Sequence, residues 1–524
     1  MGYDAVKNKR RITLFSTSEG RNLMSGATYI LMVAGILLAK GLGFFRDIIF
    51  ARTFGATELT DIYFNIFTVV NLIFTGIGTA MQTLVIKHMN RGENALNKKE
   101  FAASFIRRTT LILAAATGVL YIFAKPLTRF LVPEVSPENF GLALNITYVM
   151  LPSLIFVVVA YMISGILQNN KVFFITSIMS LPFNVILIAA LFFPEIDIFT
   201  LSVITTIGWF LHIVVQLPSF YRLGFRLFTG VGKTKINYGG NTEVLLVFIS
   251  NMMFQLCFML DKIAVSGTKG AATTVNYASN LFVTIASVFV VAMSSVVFPS
   301  ISQNFEEGKV NYVRRLVQYI ITTMLAIFVP FILTVTCYGE NVIGLVYERG
   351  EFTHDLTIQT ALLFAVYTLG VLGYMSQELF NKVLYLDSKY AYTVVGTVAV
   401  VVLKWVINGI VVPVWGVGGA ALSTTVLFTL YAVNVAIGMR GVIGAFLDRA
   451  ELIRIGKILL SGLIALAAFF VTKLLMPGLS MGRIKFIIPL AICGAVYIAD
   501  MTASGMIKEL AAKPETNENG GKSR

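Results

Sequence analysis

Apolar windows about 20 residues long recur from one end of the chain to the other, parted by short polar stretches. Each is long enough to cross a hydrocarbon layer of about 30 Å as a helix. Fourteen such windows fall near 24–45, 61–87, 105–124, 139–167, 173–193, 198–220, 243–265, 275–302, 316–338, 357–384, 391–412, 416–439, 453–475 and 484–503. Windows of this length predict helices, because a membrane-crossing strand needs only about ten residues and alternates in polarity. The expectation is an all-α polytopic membrane protein. Residues 1–23 are polar and basic, show no short apolar core with a cleavage site, and are expected to stay cytoplasmic. The polar stretch KELAAKPETNENGGKSR lies at the other end, and residues 504–524 are expected to form a disordered cytoplasmic tail.

Composition supports the same class. The 524 residues are 56% hydrophobic and only 13% charged, where a soluble chain carries about a quarter charged residues. The net charge of +14 would suggest nucleic acid on a soluble protein; here the basic residues read as topological anchors. An even number of spans puts both termini on one side. With the N-terminus cytoplasmic, twenty-eight Lys and Arg fall in cytoplasmic segments and nine in outer ones. That asymmetry predicts both termini inside. The segments between windows are too short to fold as domains. Cys257, Cys337 and Cys493 are isolated in apolar stretches, which suggests neither a disulfide framework nor a metal site. No catalytic constellation is present, so an enzyme is not expected.

Four lysines remain inside or near the apolar windows: Lys40, Lys262, Lys382 and Lys404. Arg46 and Asp47 stand close to Lys40, Asp61 opens the second window, and Asp261 precedes Lys262. Charges at membrane depth are costly unless they face a wet cavity or a partner, so they are candidate functional groups. Each also has a plain structural reading. Lys40 and Lys382 could snorkel to a headgroup, and Arg46 with Asp47 could form an interfacial ion pair. Asp61 could cap its own helix, and Asp261 with Lys262 could pair at a helix end. Lys404 sits mid-window, where a cavity or groove role competes with packing. His212 reads as structural, and Glu348, Arg349 and Glu351 as a solvated turn.

The chain also repeats. RDIIFARTFGATELTDIYFNIF at 46–67 aligns with LDKIAVSGTKGAATTVNYASNLF at 260–282. Asp47 falls on Asp261, Gly55-Ala56 on Gly270-Ala271 and Asn65 on Asn280; Pro194 falls on Pro413 and Thr205-Thr206 on Thr424-Thr425. Six spans precede the second copy, so both copies run in the same direction. Two parallel six-helix bundles are a transporter architecture, with the site between the halves. The domain reading is an N-lobe at 24–220, a cytoplasmic linker at 221–242, a C-lobe at 243–439, and two added helices at 453–503.

The stretch GLGFFRDIIFARTFGATELTDIYFNIFTVVNL at 41–72, with FPSIS at 298–302, YERGEFT at 347–353 and WGVGGAALSTT at 415–425, resembles the MurJ/MviN-type lipid II flippases of the multidrug/oligosaccharidyl-lipid/polysaccharide exporter superfamily. The resemblance implies two lobes around a cationic cavity in a bacterial plasma membrane. It also implies alternating access without ATP hydrolysis, and a lipid-tail groove formed with the last two helices. The implied substrate is an undecaprenyl-diphosphate-linked peptidoglycan precursor. Membrane lipids and cell-wall synthases are the other implied partners, nucleic acid is not, and a monomer is expected.

Carried onto this chain, Arg46 and Asp47 match the family's Arg-Asp, Lys40 replaces an arginine, and Asp61 matches an aspartate at the start of helix 2. A diphosphate needs cations or oriented donors, so Lys40, Arg46, Lys262 and Asn280 are the candidate substrate contacts. Asp47, Asp61 and Asp261 are candidate gate or coupling groups. Asn280 ends the stretch where the family has an arginine, and a second family arginine after Asn71-Leu72 is also missing. The family resemblance further implies a candidate cation site of Asp261, Asn408, Thr424 and Thr425, although Val412 stands where a second carboxylate is expected. No cofactor is expected; sodium, protons or the membrane potential are the candidate driving forces. The alternative is a flippase for another lipid-linked oligosaccharide of capsule, teichoic-acid or exopolysaccharide type. A cation-coupled drug exporter would need an acidic cavity instead.

Overall fold

The computed structural model describes residues 26–89, 97–227, 242–292, 298–475 and 486–512. Helices fill the first half: α1 (Gly26–Phe54), α2 (Glu58–Val69), α3 (Thr75–Met89), α4 (Lys98–Ile122), α5 (Ala124–Leu131), α6 (Pro137–Met150), α7 (Ser153–Asn169), α8 (Phe174–Ser177), α9 (Leu181–Leu191), α10 (Ile198–Val214) and α11 (Leu217–Arg222). The second half holds α12 (Thr242–Ala264), α13 (Ala271–Ala292), α14 (Phe298–Glu306), α15 (Val310–Tyr347), α16 (His354–Leu369), α17 (Val371–Leu386) and α18 (Tyr390–Ile443). Beyond it lie α19 (Arg449–Leu475), α20 (Ile487–Ala503) and α21 (Met506–Ala511). No strand occurs among the described residues.

Seven of these segments are long and apolar enough to cross a membrane, and α16 with α17 makes an eighth if the bent pair is one span. Large apolar side chains face outward along them; Trp405, Val414 and Leu474 are 69%, 74% and 81% exposed. A surface of that kind is stable against lipid and not against water. The N-terminal segment 1–23 and most of the linker 221–242 and of the tail 504–524 fall outside the described residues.

Local chemistry explains the helix ends. Thr57 caps α2 by accepting from Thr60 N, while Thr60 Oγ1 accepts from Thr57 N, a reciprocal box that satisfies two orphan amides. Asp197 caps α10 through Thr200 N at 2.6 Å. A single π turn at Val70–Phe74 joins α2 to α3 without ending the run, a feature often found where helices must adapt.

The longest helix, α18, is a hairpin. A continuous helix would separate residues 404 and 423 by about 28 Å, yet Lys404 Nζ hydrogen-bonds Ser423 Oγ. Thr397 likewise meets Tyr431. Gly416 makes the reversal at φ 56, ψ −141, a conformation closed to most residues with a Cβ, three residues after Pro413. α12 and α17 pack along α18, α3 packs on α7, and α19 and α20 pair with each other and lie against α15. One apolar core runs through both halves, and two small satellite clusters hold α19 and α20 to α15.

The two halves repeat in detail. Gly55 and Gly270 are both left-handed, at φ 60 and 79. Thr206 Oγ1 donates to Val149 O at 2.9 Å, and its counterpart Thr425 Oγ1 donates to Val366 O at 2.7 Å.

Candidate functional site

The first and second halves meet along α1 and α13, and polar pairs mark the seam. Lys40 Nζ donates to Ser287 Oγ at 3.0 Å. Asn280 Nδ2 donates to Asp47 Oδ2 at 3.4 Å. Moving seven residues forward on α1 moves seven residues back on α13, so the helices are antiparallel in register and the pairs lie two turns apart. Arg46 reaches the other way. Its Nε and Nη2 grip Asp47 Oδ1 at 3.1 and 2.7 Å, Nη1 reaches Asn184 Oδ1 at 3.1 Å, and its guanidinium lies 5.5 Å from the Phe183 ring centre. Arg46 and Asp47 are thus an ion pair, one whose carboxylate also touches the opposite half.

At the end of the seam that carries the two left-handed glycines, the halves are latched. Asp61 does not cap its own helix; Thr57 does that. Its buried carboxylate instead caps α13, accepting from Gly270 N and Thr273 N at 2.7 Å each and from Thr273 Oγ1 at 2.6 Å. These amides belong to a helix start that has no internal partners and favours negative charge. Lys269 adds an ion pair to Glu58 at 3.5 Å. Tyr277 OH donates to Gly55 O at 2.8 Å, and Glu351 N to Arg52 O at 3.0 Å.

Contact here is backbone on backbone. A Cβ on Gly270 would stand 2.6 Å from Ala56 O, and one on Gly55 would stand 2.6 Å from Glu351 O. Below this layer Phe64, Tyr277, Tyr347 and Phe352 form an aromatic plug with ring centres 5.4 to 5.9 Å apart. The 347–353 turn is therefore only half solvated: Arg349 and Glu351 are exposed, while Tyr347 and Phe352 are buried in the plug.

Lys262 does not pair with its neighbour Asp261. It is buried, and its Nζ donates to Thr68 Oγ1 of the first half at 2.8 Å and to Asn276 Oδ1 at 2.6 Å.

Asp261 points instead into the second half, where the candidate cation-site residues converge. Its Oδ2 accepts from Thr424 Oγ1 at 2.6 Å and from Tyr367 OH at 3.1 Å, and its Oδ1 accepts from Asn408 Nδ2 at 3.2 Å. Thr425 is not in this group, because its hydroxyl is bonded to Val366 O. A cation already stands at the centre: Lys404 Nζ lies 2.5 Å from Asp261 Oδ1, with both side chains fully buried. A cavity of about 890 Å³ between α12 and α18 reaches Asn408 from outside and is walled by Leu260, Trp405, Pro413 and Gly416.

The intramembrane cations thus sort into two kinds. Arg46 and Lys404 are neutralised by carboxylates. Lys40 and Lys262 touch only neutral oxygens; among the described residues no carboxylate lies within 4 Å of either. A cation held by hydroxyls and an amide has no ion-pair partner to displace before it meets an anion, although Asp47 and Asp261 lie within electrostatic reach of Lys262. Lys382 is half-buried and lies within electrostatic reach of Glu378, one turn earlier on α17. His212 is buried against Phe183 and Trp209, as a structural histidine would be.

The sequence marks the charged members and, of their partners, Asn280, Asn408 and Thr424. Thr68, Asn184, Thr273, Asn276, Ser287, Tyr367 and Ser423 carry no signal of their own. The one usable clue was the equal spacing of Lys40 to Asp47 and Asn280 to Ser287.

The chain is similar to known proteins in sequence and in fold. Residues 50–489 match the family model described as "Lipid II flippase MurJ". A probable lipid II flippase MurJ of Buchnera aphidicola subsp. Acyrthosiphon pisum is 23% identical over 500 residues, covering 90% of this chain and 95% of that protein. A lipid II flippase MurJ of Burkholderia cenocepacia is 22% identical over 433 residues, covering 78% and 83%. Among solved structures, a lipid II flippase MurJ in an inward closed conformation superposes with a TM-score of 0.75 at 21% identity, over 92% of this chain and all of that one. An inward-facing multidrug resistance MATE transporter of the MOP superfamily gives 0.61 at 12% identity, over 80% and 98%. These likenesses to solved structures establish the fold.

Proposed function

The chain belongs to the lipid II flippase MurJ family, and on that premise we propose that it carries lipid II from the inner to the outer leaflet by alternating access. The working parts are two six-helix lobes at 24–220 and 243–439, joined by the linker 221–242. The hydrogen bonds repeated at Thr206 and Thr425 support that division. Fourteen spans with both termini cytoplasmic put the latched end, around Gly55, Asp61 and Gly270, on the outer face. The present conformation is then closed outward.

The observation that carries the reading is the pair of ammonium groups at the seam, Lys40 and Lys262, whose close partners among the described residues are neutral oxygens belonging to the seam. A diphosphate carries about two negative charges and binds where such donors converge in a low-dielectric site. On opening, Ser287 and Thr68 withdraw with their own lobes, and the ammonium groups turn to the substrate. Arg46, steered by Asn184 and Phe183, shares its donors between Asp47 and the head group. Asn280 follows Asp47. Lys262 supplies one of the two positive charges missing from the family pattern. The lipid tail runs along α19 and α20, which pack mainly on α15 and on each other.

The test is depletion in the host, followed by identification of the lipid-linked precursor retained on the cytoplasmic face. Lipid II is the expected species. Retention of a different carrier-linked glycan, with lipid II turning over normally, would replace the substrate.

A further inference from the structure

We propose that the ammonium of Lys404 permanently takes the place beside Asp261 that an alkali cation would fill, so that the transport cycle runs without sodium at this site. The inference rests on the transport reading above for its meaning, but its ion-binding test does not.

The resemblance implied a sodium site built on Asp261, Asn408, Thr424 and Thr425, of which all but Thr425 meet here. The residues converge as such a site requires, and yet they do not fit the ion. An ionised carboxylate offers about four lone-pair directions. Asp261 fills all four with donors: Lys404 and Asn408 on Oδ1, Thr424 and Tyr367 on Oδ2. Lys404 Nζ and Asn408 Nδ2 have no lone pair to give a metal ion, and the ammonium already stands against Oδ1 where one would sit.

Lys404 is saturated from its own side. An ammonium has three donors and no acceptor, and Nζ meets three oxygens: Asp261 Oδ1, Ala420 O at 2.9 Å and Ser423 Oγ. Carboxylate, carbonyl and hydroxyl oxygens are the donor types that hold a hard cation. Ser423 Oγ donates a hydrogen bond to Asn408 Oδ1 at 2.7 Å, which orients the Asn408 amide so that Nδ2 faces Asp261. The network closes on itself with no place left over.

The fold imposes the arrangement. Lys404 and Asn408 lie one turn apart on the same face of the first leg of α18. The reversal at Gly416 brings Ala420, Ser423 and Thr424 of the second leg against them. The cation is therefore covalently part of the helix whose cage it fills, and it cannot be exchanged with solution during the cycle. The charge of a buried carboxylate that would otherwise need a captured ion is balanced by this ammonium for as long as the hairpin stays folded.

The test uses the full-length protein in detergent and follows thermal unfolding in sodium chloride against choline chloride at equal ionic strength. Wild type is expected to unfold at the same temperature in both salts. Lys404→Ala vacates the cage and is expected to gain a sodium-dependent rise of several degrees, as ligand binding to the native state requires. Adding Asp261→Asn should remove that rise. A sodium-dependent shift in wild type that Asp261→Asn abolishes would overturn the proposal. So would a Lys404→Ala protein that folds and ignores sodium, since the cage would then be an ordinary ion pair. If Lys404→Ala is not recovered folded, radioactive sodium binding to wild type decides alone: no binding supports the assignment, and stoichiometric binding lost with Asp261→Asn refutes it. A protein that moves no lipid II would count against the transport reading and leave the ion result standing.

Discussion

Asp61 caps the helix of the opposite half: its carboxylate lies 2.7 Å from the backbone amides of Gly270 and Thr273, two hundred residues away in sequence. The charge that favours one end of α13 is supplied by a side chain of α2. The latch therefore opens only if these bonds break together.

Asp61→Asn should weaken the latch selectively. A hydrogen bond to a charged group contributes about 2 kcal/mol, which is roughly thirtyfold in the ratio of closed to open forms. A cysteine introduced at Ala56 should react faster with a membrane-impermeant maleimide in the Asp61→Asn background than in wild type. Equal labelling rates would mean that the aromatic plug alone holds this end shut.

Gly270→Ala tests the same contact from the other side. The position is left-handed and the new Cβ would strike Ala56 O. Gly308→Ala is the control, since Gly308 is equally left-handed but its Cβ would meet nothing within 4 Å. Conformational strain costs about 1–2 kcal/mol in both. Only Gly270→Ala should also increase labelling at Ala56. Similar behaviour of the two variants would reduce the contact to backbone strain.

Lys40→Ala and Lys262→Ala should each lower lipid II transport by at least about tenfold, since a charge-assisted contact to phosphate is lost. Arginine at either position should retain more activity than alanine. Membrane insertion, read as yield and thermal stability, should change little for Lys40→Ala, whose ammonium is only half-buried. Transport at the wild-type rate in both alanine variants would remove these lysines from the substrate site.

Asp448 gives a pH-dependent contact outside the membrane. Its Oδ1 accepts from Glu451 N at 2.8 Å at the start of α19, and Gln318 Nε2 of α15 donates to Oδ2 at 3.3 Å. The bond to the Glu451 amide is the main cause of a carboxyl held below its ordinary value, with Gln318 assisting. A depressed carboxyl stabilises the fold above its unfolded-state value and loses that contribution as pH falls through the folded one. Asp448→Ala should cost about 1 kcal/mol near neutrality as a lost helix cap. The difference from wild type in thermal unfolding should shrink below about pH 4. A difference that stays constant into acid would argue against an ionised cap.

Sequence alone determined the helices, the membrane and the family. A window of apolar residues is a local property, and one about 20 residues long without alternating polarity can satisfy its backbone in lipid as a helix but not as a barrel strand. The same economy exposed the charged members of the site, because Lys40, Arg46, Asp47, Asp61, Asp261 and Lys404 are too costly in an apolar window to be incidental. Only the tertiary structure decided whom they meet. Hydroxyls such as Ser287, Thr68 and Thr273 cost little in a helix, where they can bond to their own backbone, so nothing in the sequence marks them as partners. Whether Asp61 serves its own helix or one two hundred residues on depends on how α2 is set against α13. Whether Asp261 holds a metal ion or Lys404 depends on a hairpin turned at one glycine. Those outcomes are set by the register of packed helices, a relation between distant segments that no local pattern contains.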